Sequence, residues 1–137
     1  MIRDSFRQSR SEISRGRLVN NLRVLKTLQE AGEFMCPMVK CNAYGHDAVL
    51  CGKWLEAEGV DALGVALVEE GIELRNGGVQ DCEILVFGIM PVAALSSALT
   101  HRLTPVVSSF SELRELAKSI HKGTSLKIHL KLDTGMN

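Results

Sequence analysis

The stretch LKIHLKLD, residues 126 to 133, bears most directly on whether this sequence forms an open sheet or part of a barrel. Its apolar and polar side chains alternate strictly, and the polar ones are Lys127, His129, Lys131 and Asp133. A parallel strand that helices cover on both faces is apolar throughout. One polar face therefore indicates either an edge strand with lysines on its open side or a strand that faces the interior of a barrel. In a barrel, the DTG turn that follows falls at the carboxyl end of the strand, where barrel enzymes carry their chemistry.

Upstream of this stretch, short apolar runs alternate with segments of helical spacing. The apolar runs predict strands at 38–40, 61–67, 83–87, 103–107 and 126–132. Helical spacing predicts an opening helix at 16–31 and four further helices, which begin near Asp47, Glu69, Pro91 and Ser109. This alternation predicts an α/β fold with parallel strands. The 137 residues suit an open doubly wound sheet or about half of a (β/α)8 barrel, since a complete barrel takes about 250 residues.

The segment PMVKCNAYGH, residues 37 to 46, places Lys40 at the end of a short apolar run and just before a polar loop. A desolvated lysine at the mouth of a buried strand can attack a carbonyl and form a Schiff base. The same position also suits a strand-end lysine that only reaches into solvent. The loop itself matches neither a GxGxxG nor a Walker pattern, which weakens the case for a nucleotide-binding sheet.

Composition excludes several classes of function. Sixteen basic residues balance sixteen acidic ones, so nothing indicates a nucleic-acid or anionic-membrane partner. No apolar run approaches the 18 or so residues of a membrane span, and the polar N-terminus lacks a secretion signal, which favours a cytoplasmic protein. The four cysteines form no CxxC pair or Cys/His cluster at zinc spacing, so no metal site is predicted.

Two motifs together resemble the alanine racemase family. VKCNAYGH, residues 39 to 46, is similar to the VKANAYGHG lysine motif of that family, and HLKLDTGMN, residues 129 to 137, is similar to its HLKxDTGMxR segment. Between them, ALGVALVEEGIELRNGGV and ILVFG follow in family-like order, and the likeness extends from about Glu12 to Asn137. It implies a partial (β/α)8 TIM barrel holding about the first five strands. Residues 1–137 would form an incomplete N-terminal barrel domain, with the family's C-terminal β-domain absent.

The resemblance also implies a chemistry and a set of residues. The family interconverts L- and D-alanine with pyridoxal 5'-phosphate, acts as a homodimer, and supplies D-alanine for peptidoglycan. Lys40 would bind the cofactor covalently and act as one acid/base group at the α-carbon, and Tyr44 would hydrogen-bond the cofactor phosphate. Lys131 matches a lysine that is carbamylated in many members and supports an active-site arginine.

The sequence differs from the family pattern at several positions. The family's second base is a tyrosine of the C-terminal domain, whereas Tyr44 is the only tyrosine here, so the chain alone is expected to be inactive. Cys41 replaces the usual alanine, Asp47 the usual glycine, and Ser14 an aspartate of the first strand. Three alternatives remain: a non-catalytic pyridoxal-phosphate carrier, a decayed fragment with a purely structural role, and a serine or broad-specificity racemase.

Overall fold

The computed structural model describes residues 10–121 and 123–135. Helices and strands follow the predicted order, except that the predicted strand at 38–40 contributes only an isolated bridge at Met38 and is followed directly by a helical turn that begins at Lys40. They are α1 (Arg15–Thr27), α2 (Lys40–Gly45), α3 (Ala48–Ala57), β1 (Ala62–Val65), α4 (Val68–Asn76), β2 (Glu83–Val86), α5 (Leu95–Thr100), β3 (Leu103–Val107), α6 (Phe110–Ser119) and β4 (His129–Leu130). A 3-10 turn at Val92–Ala94 leads into α5, and the backbone of α2 is left-handed.

The strands pair in parallel and in strictly sequential order, β1-β2-β3-β4. The extended segment 35–39 adds a fifth position beside β1, where Val39 N donates to Gly64 O at 2.8 Å and Gly64 N donates to Pro37 O at 2.9 Å. A doubly wound sheet reverses its strand order at a switch point. The described strands show no reversal, and sequential parallel order is the order of a (β/α)8 barrel. The predicted α/β fold with about five barrel strands is confirmed.

The sheet is strongly curled. Phe34 lies at the amino end of the extended segment and His129 lies in β4, yet their ring centroids are 5.6 Å apart. In a flat sheet these first and fifth positions would be about 19 Å apart, at about 4.8 Å per strand. The side chains therefore meet across a concave face, as residues inside a barrel do.

The polar face of the last strand points into this concave side. Lys127 Nζ lies 2.9 Å from a carboxylate oxygen of Glu83, and His129 Nε2 lies 3.5 Å from the other oxygen. On the opposite face, Leu126 and Ile128 pack against the helix-covered core. The barrel interpretation of the alternation is thus confirmed. Regular pairing covers only His129–Leu130, shorter than the predicted 126–132, because within the described residues this strand has a neighbour on one side only.

The main core fills the space between the convex face of the sheet and the helices. It includes the buried side chains of Leu63, Val65, Ile84, Val86 and Leu116. The opening helix was predicted from four leucines at helical spacing, Leu18, Leu22, Leu25 and Leu28. Leu22 is buried, whereas Leu25 and Leu28 are 54% and 75% exposed. The helix also ends at Thr27 instead of residue 31. Its last turn contacts a loop, since Lys26 Nζ donates to the carbonyls of Glu58 and Gly59.

Two predicted helix starts, at Asp47 and Ser109, have the expected chemistry. Asp47 Oδ1 accepts a hydrogen bond from Leu50 N at 3.0 Å at the start of α3, and Ser109 Oγ accepts one from Glu112 N at 3.2 Å at the start of α6. Ser14 lies at the N-cap of α1, where its Oγ accepts from Arg17 N, and not in a strand. A serine side chain can cap the end of a helix as an aspartate side chain does.

Candidate active site

Lys40 leaves the sheet directly into a left-handed turn. Cys41, Asn42, Ala43 and Tyr44 have φ between 51° and 54° and ψ between 38° and 49°. For residues with a side chain this conformation costs about 1–2 kcal/mol each, and of the four only asparagine adopts it readily. Such strain persists where surrounding contacts impose it, and it clusters at functional sites. The sequence predicts only a polar loop here, so the left-handed turn is a finding of the structure.

Hydrogen bonds from three directions hold this turn. Ala43 N donates to Val39 O at 2.8 Å, Ala48 N donates to Asn42 Oδ1 at 2.8 Å, and Cys41 N donates to Glu70 Oε1 at 2.7 Å. The Ala43 side chain is buried in the core beneath the turn. These contacts fix the backbone on both sides of the lysine.

Lys40 and Tyr44 are brought together in this one turn at the carboxyl end of the first strand position. Lys40 is partly buried, whereas the Tyr44 side chain is 59% exposed. Among residues 10–121 and 123–135, no side chain forms a hydrogen bond or ion pair with the Lys40 ammonium group. Lys40 and Tyr44 thus belong to the same short turn, four residues apart.

Lys131 lies at the same carboxyl rim of the sheet but at the other end of the strand order. Its backbone N–H donates to Val107 O at 2.8 Å, which continues the pairing of β4 with β3. Its side chain is exposed. The structure does not bring Lys131 into contact with Lys40 or Tyr44. The last two residues of the HLKLDTGMN motif, Met136 and Asn137, lie outside the described residues.

A cavity of about 510 Å³ opens on the helix side of the sheet, between α1 and α3. Its wall includes Leu22, Leu55, Tyr44 and His46 but not Lys40. Because Lys40 does not line it, this apolar cavity is not where the lysine would meet a substrate.

Two cysteines near the amino ends of the strands, Cys36 and Cys82, offer little chemistry. Burial, with the nearby carboxylates of Glu83 and Asp61, raises the pKa of Cys36 to about 11. Burial and the Glu56 carboxylate raise the pKa of Cys82 to about 12. Both thiols are therefore protonated at neutral pH and poor nucleophiles. Across the described ranges, no group of three or more His, Cys, Asp or Glu side chains could hold a metal ion.

Sequence reasoning missed Glu70. The sequence marks VEEG only as the start of a helix, yet the Glu70 carboxylate accepts hydrogen bonds from Ala66 N and Leu67 N as well as from Cys41 N. The available signal was an acidic residue in the first turn, three residues after the N-cap Leu67. That position commonly returns a hydrogen bond to the start of its own helix. The further reach to Cys41 requires the tertiary structure.

No helix in the part of the chain that the structure describes is long and apolar enough to cross a membrane.

Comparison with known proteins identifies the family. The model of the family "Alanine racemase, N-terminal domain" matches residues 13–137. Alanine racemase 1 of Caldanaerobacter subterraneus subsp. tengcongensis is 37% identical over 134 residues, which are 97% of this chain and 34% of that protein. The chain thus spans about a third of the length of this relative.

Solved structures with a similar fold also belong to racemases. The structure of alanine racemase from E. faecalis superposes with a TM-score of 0.82 and 32% identity, over 90% of this chain and 34% of that one. A histidine racemase from Leuconostoc mesenteroides subsp. sake gives a TM-score of 0.78 and 27% identity, over 90% of this chain and 33% of that one. The chain belongs to the alanine racemase N-terminal domain family, a family of isomerases.

Proposed function

We propose that this chain supplies the cofactor-binding lysine of a pyridoxal-phosphate-dependent alanine racemase. The observation that carries the proposal is the position of Lys40. It lies at the carboxyl end of the first barrel strand, within the family's lysine motif, and at the entry to a strained turn held by Glu70 and Asn42.

The residues present fit part of a pyridoxal-phosphate site. Lys40 provides a primary amine that no described side chain binds. A covalent link to an aldehyde requires such an amine. Tyr44, exposed in the same turn, provides a hydroxyl donor for the phosphate. When bound, pyridoxal phosphate supplies the electron sink that makes the α-proton of an amino acid removable.

Lys40 would then hold the cofactor, and its amine would move a proton to or from one face of the α-carbon. Racemisation needs a second group on the opposite face. Tyr44, the only tyrosine in the 137 residues, is already assigned to the phosphate. The 137-residue chain by itself is therefore expected to bind the cofactor weakly and not to racemise alanine. Racemisation by the purified chain that Lys40→Ala abolishes would overturn this expectation.

Lys131 has a proposed supporting role. Its exposed side chain at the carboxyl rim is available for carbamylation, which converts a cation into an anion that can pair with an arginine. The structure shows its place in the fold, and the role itself rests on the HLKLDTGMN motif.

Alanine is the proposed substrate, and the D-alanine formed would be used in peptidoglycan synthesis. The proposed assembly is a homodimer, and the proposed location is the cytoplasm. The structural match to a histidine racemase means that alanine and histidine racemases share the fold of residues like those of this chain. We therefore place the choice of substrate side chain outside these residues, and a serine or broad-specificity racemase remains the alternative.

Titration with pyridoxal phosphate tests the proposal. The visible absorption of lysine-linked cofactor should saturate in the wild-type chain and in Lys53→Ala, which removes an exposed lysine of α3, and should be lost in Lys40→Ala. Equal spectra for all three proteins would refute a specific site at Lys40.

A further inference from the structure

We propose that Glu70 is a positioning residue for Lys40. Its carboxylate fixes the peptide that follows the lysine and thereby sets the direction in which the lysine amine leaves the strand. The effect of Glu70 on cofactor binding by Lys40 rests on the proposed function. Its role in holding the turn rests only on the hydrogen bonds described below.

Both oxygens of Glu70 are in use, and they serve two different loops. Oε1 accepts from Cys41 N at 2.7 Å, in the lysine turn. Oε2 accepts from Ala66 N at 2.7 Å and Leu67 N at 3.1 Å, where β1 passes into α4. One side chain therefore joins the carboxyl ends of the first two strand positions.

The site requires a carboxylate. Three N–H groups converge on the side chain, and an ionised carboxylate is acceptor-only, with two oxygens to share among them. Hydrogen bonds to a charged acceptor are shorter and stronger than neutral ones, in line with the two distances of 2.7 Å. Glu70 also lies in the first turn of α4, where the helix dipole favours negative charge. A glutamine would keep the size but turn an NH2 group toward one set of donors.

The hydrogen bond from Cys41 N to Glu70 holds the start of the strained turn. Cys41 is the first of five consecutive residues with positive φ, of which only the last, Gly45, is a glycine, and Cys41 N–H belongs to the peptide that follows Lys40. Without an acceptor for that N–H, the strained turn would lose the contact that fixes its first residue. The amine of Lys40 would then sample a wider range of directions from the rim.

Two variants separate this role from a general effect of charge. Glu70→Gln removes the carboxylate, and Glu69→Gln removes the neighbouring exposed one from the same first turn. Both lose one negative charge at the start of α4, but in the described structure only Glu70 bonds to Cys41 N. If Glu70→Gln does not fold, Glu70→Asp tests the same contact, with Glu69→Asp as its control, because it keeps the charge and shortens the reach.

The first readout needs no cofactor. Amide hydrogen exchange at Cys41 should be about tenfold or more faster in Glu70→Gln than in the wild type, as expected for loss of a charge-assisted bond, and unchanged in Glu69→Gln. Unchanged exchange at Cys41 in Glu70→Gln would overturn the proposal.

The second readout is the selectivity of labelling by pyridoxal phosphate and borohydride, measured where all variants are folded. The ratio of label on Lys40 to label on Lys53 should fall several-fold in Glu70→Gln and stay constant in Glu69→Gln. A loss of thermal stability with an unchanged ratio would mean that Glu70 is only structural, and would contradict positioning. If wild-type Lys40 is not labelled selectively, the proposed function fails, whereas the exchange at Cys41 still decides whether Glu70 holds the turn.

Discussion

Lys127 Nζ donates a hydrogen bond to Glu83 Oε2 at 3.0 Å across the concave face of the sheet, although 44 residues separate the two in the chain. Thr104, on the strand between them, donates to Glu83 Oε1 at 2.7 Å. A polar cluster thus lies at the amino end of the barrel interior, opposite the rim that carries Lys40. It ties β2, β3 and the strand at the far edge together.

Acid should weaken this cluster. Burial raises the pKa of Glu83, but the hydrogen bonds from Lys127 and Thr104 outweigh burial and hold it below its ordinary value. A lowered pKa gives stability that is complete above the unfolded-state value of about 4.3 and is lost as pH falls through the lower folded-state value. The difference in unfolding free energy between wild type and Glu83→Gln should be full at pH 7 and shrink below about pH 4.

Urea unfolding at several pH values measures that difference. Glu115→Gln is the control, because it removes one partner of an exposed ion pair with Lys118 that contributes little. A Glu83→Gln effect that is the same at every pH would contradict the charged cluster.

Asp47 has two opposing effects on stability. Its side chain caps α3, yet its backbone has φ of 67°, a conformation that glycine adopts without cost. Asp47→Ala loses the cap and keeps the strain, and should cost about 2 kcal/mol of unfolding free energy. Asp47→Gly should stay within about 0.5 kcal/mol of the wild type, because relief of strain offsets the lost cap. Equal losses in the two variants, measured by chemical denaturation, would refute this account.

Gly88 is required by a close backbone approach. A Cβ at this position would overlap the carbonyl oxygen of Ala66, to which Gly88 N donates at 3.0 Å. We expect Gly88→Ala to destabilise the protein by about 1–3 kcal/mol. Gly16→Ala is the matched control, since a Cβ there meets only open space near Ser14 and should stabilise α1 by about 0.5–1 kcal/mol. Thermal unfolding of both variants checks the opposite signs, and a stabilising Gly88→Ala would contradict the close approach.

Thiol reactivity should distinguish the cysteines by burial. Cys41 is exposed beside Lys40, whereas Cys51 and Cys82 are buried. Iodoacetamide at neutral pH should alkylate Cys41 at least about tenfold faster than Cys82, whose pKa is raised to about 12. Peptide mapping of a time course measures both rates, and equal rates in the folded protein would contradict the described packing.

The alternation in residues 126–133 predicted a strand with one polar face, because side chains of a strand change faces at every residue, but it left an edge strand and a barrel interior both open. Lys127 and His129 reach Glu83 as that period requires. The same logic failed for Leu25 and Leu28, since helical spacing identifies a face but not how far along the helix a neighbour covers it.

The lysine turn could not be predicted in its geometry. Local preferences of cysteine, alanine and tyrosine oppose positive φ, so the left-handed turn depends on distant partners, above all Glu70. Its motif was nevertheless recognisable, which explains why Lys40 was predicted while the residue that holds the turn was not.

The covalent target of pyridoxal phosphate tests the central claim most directly. The wild-type chain is incubated with the cofactor and reduced with borohydride, which converts a covalent lysine–cofactor link into a stable secondary amine. Peptide mass spectrometry then locates the label. The account predicts one dominant adduct, on Lys40 in the peptide that contains Asn42 and Tyr44. Label spread over many lysines, or unchanged in total by Lys40→Ala, would contradict it.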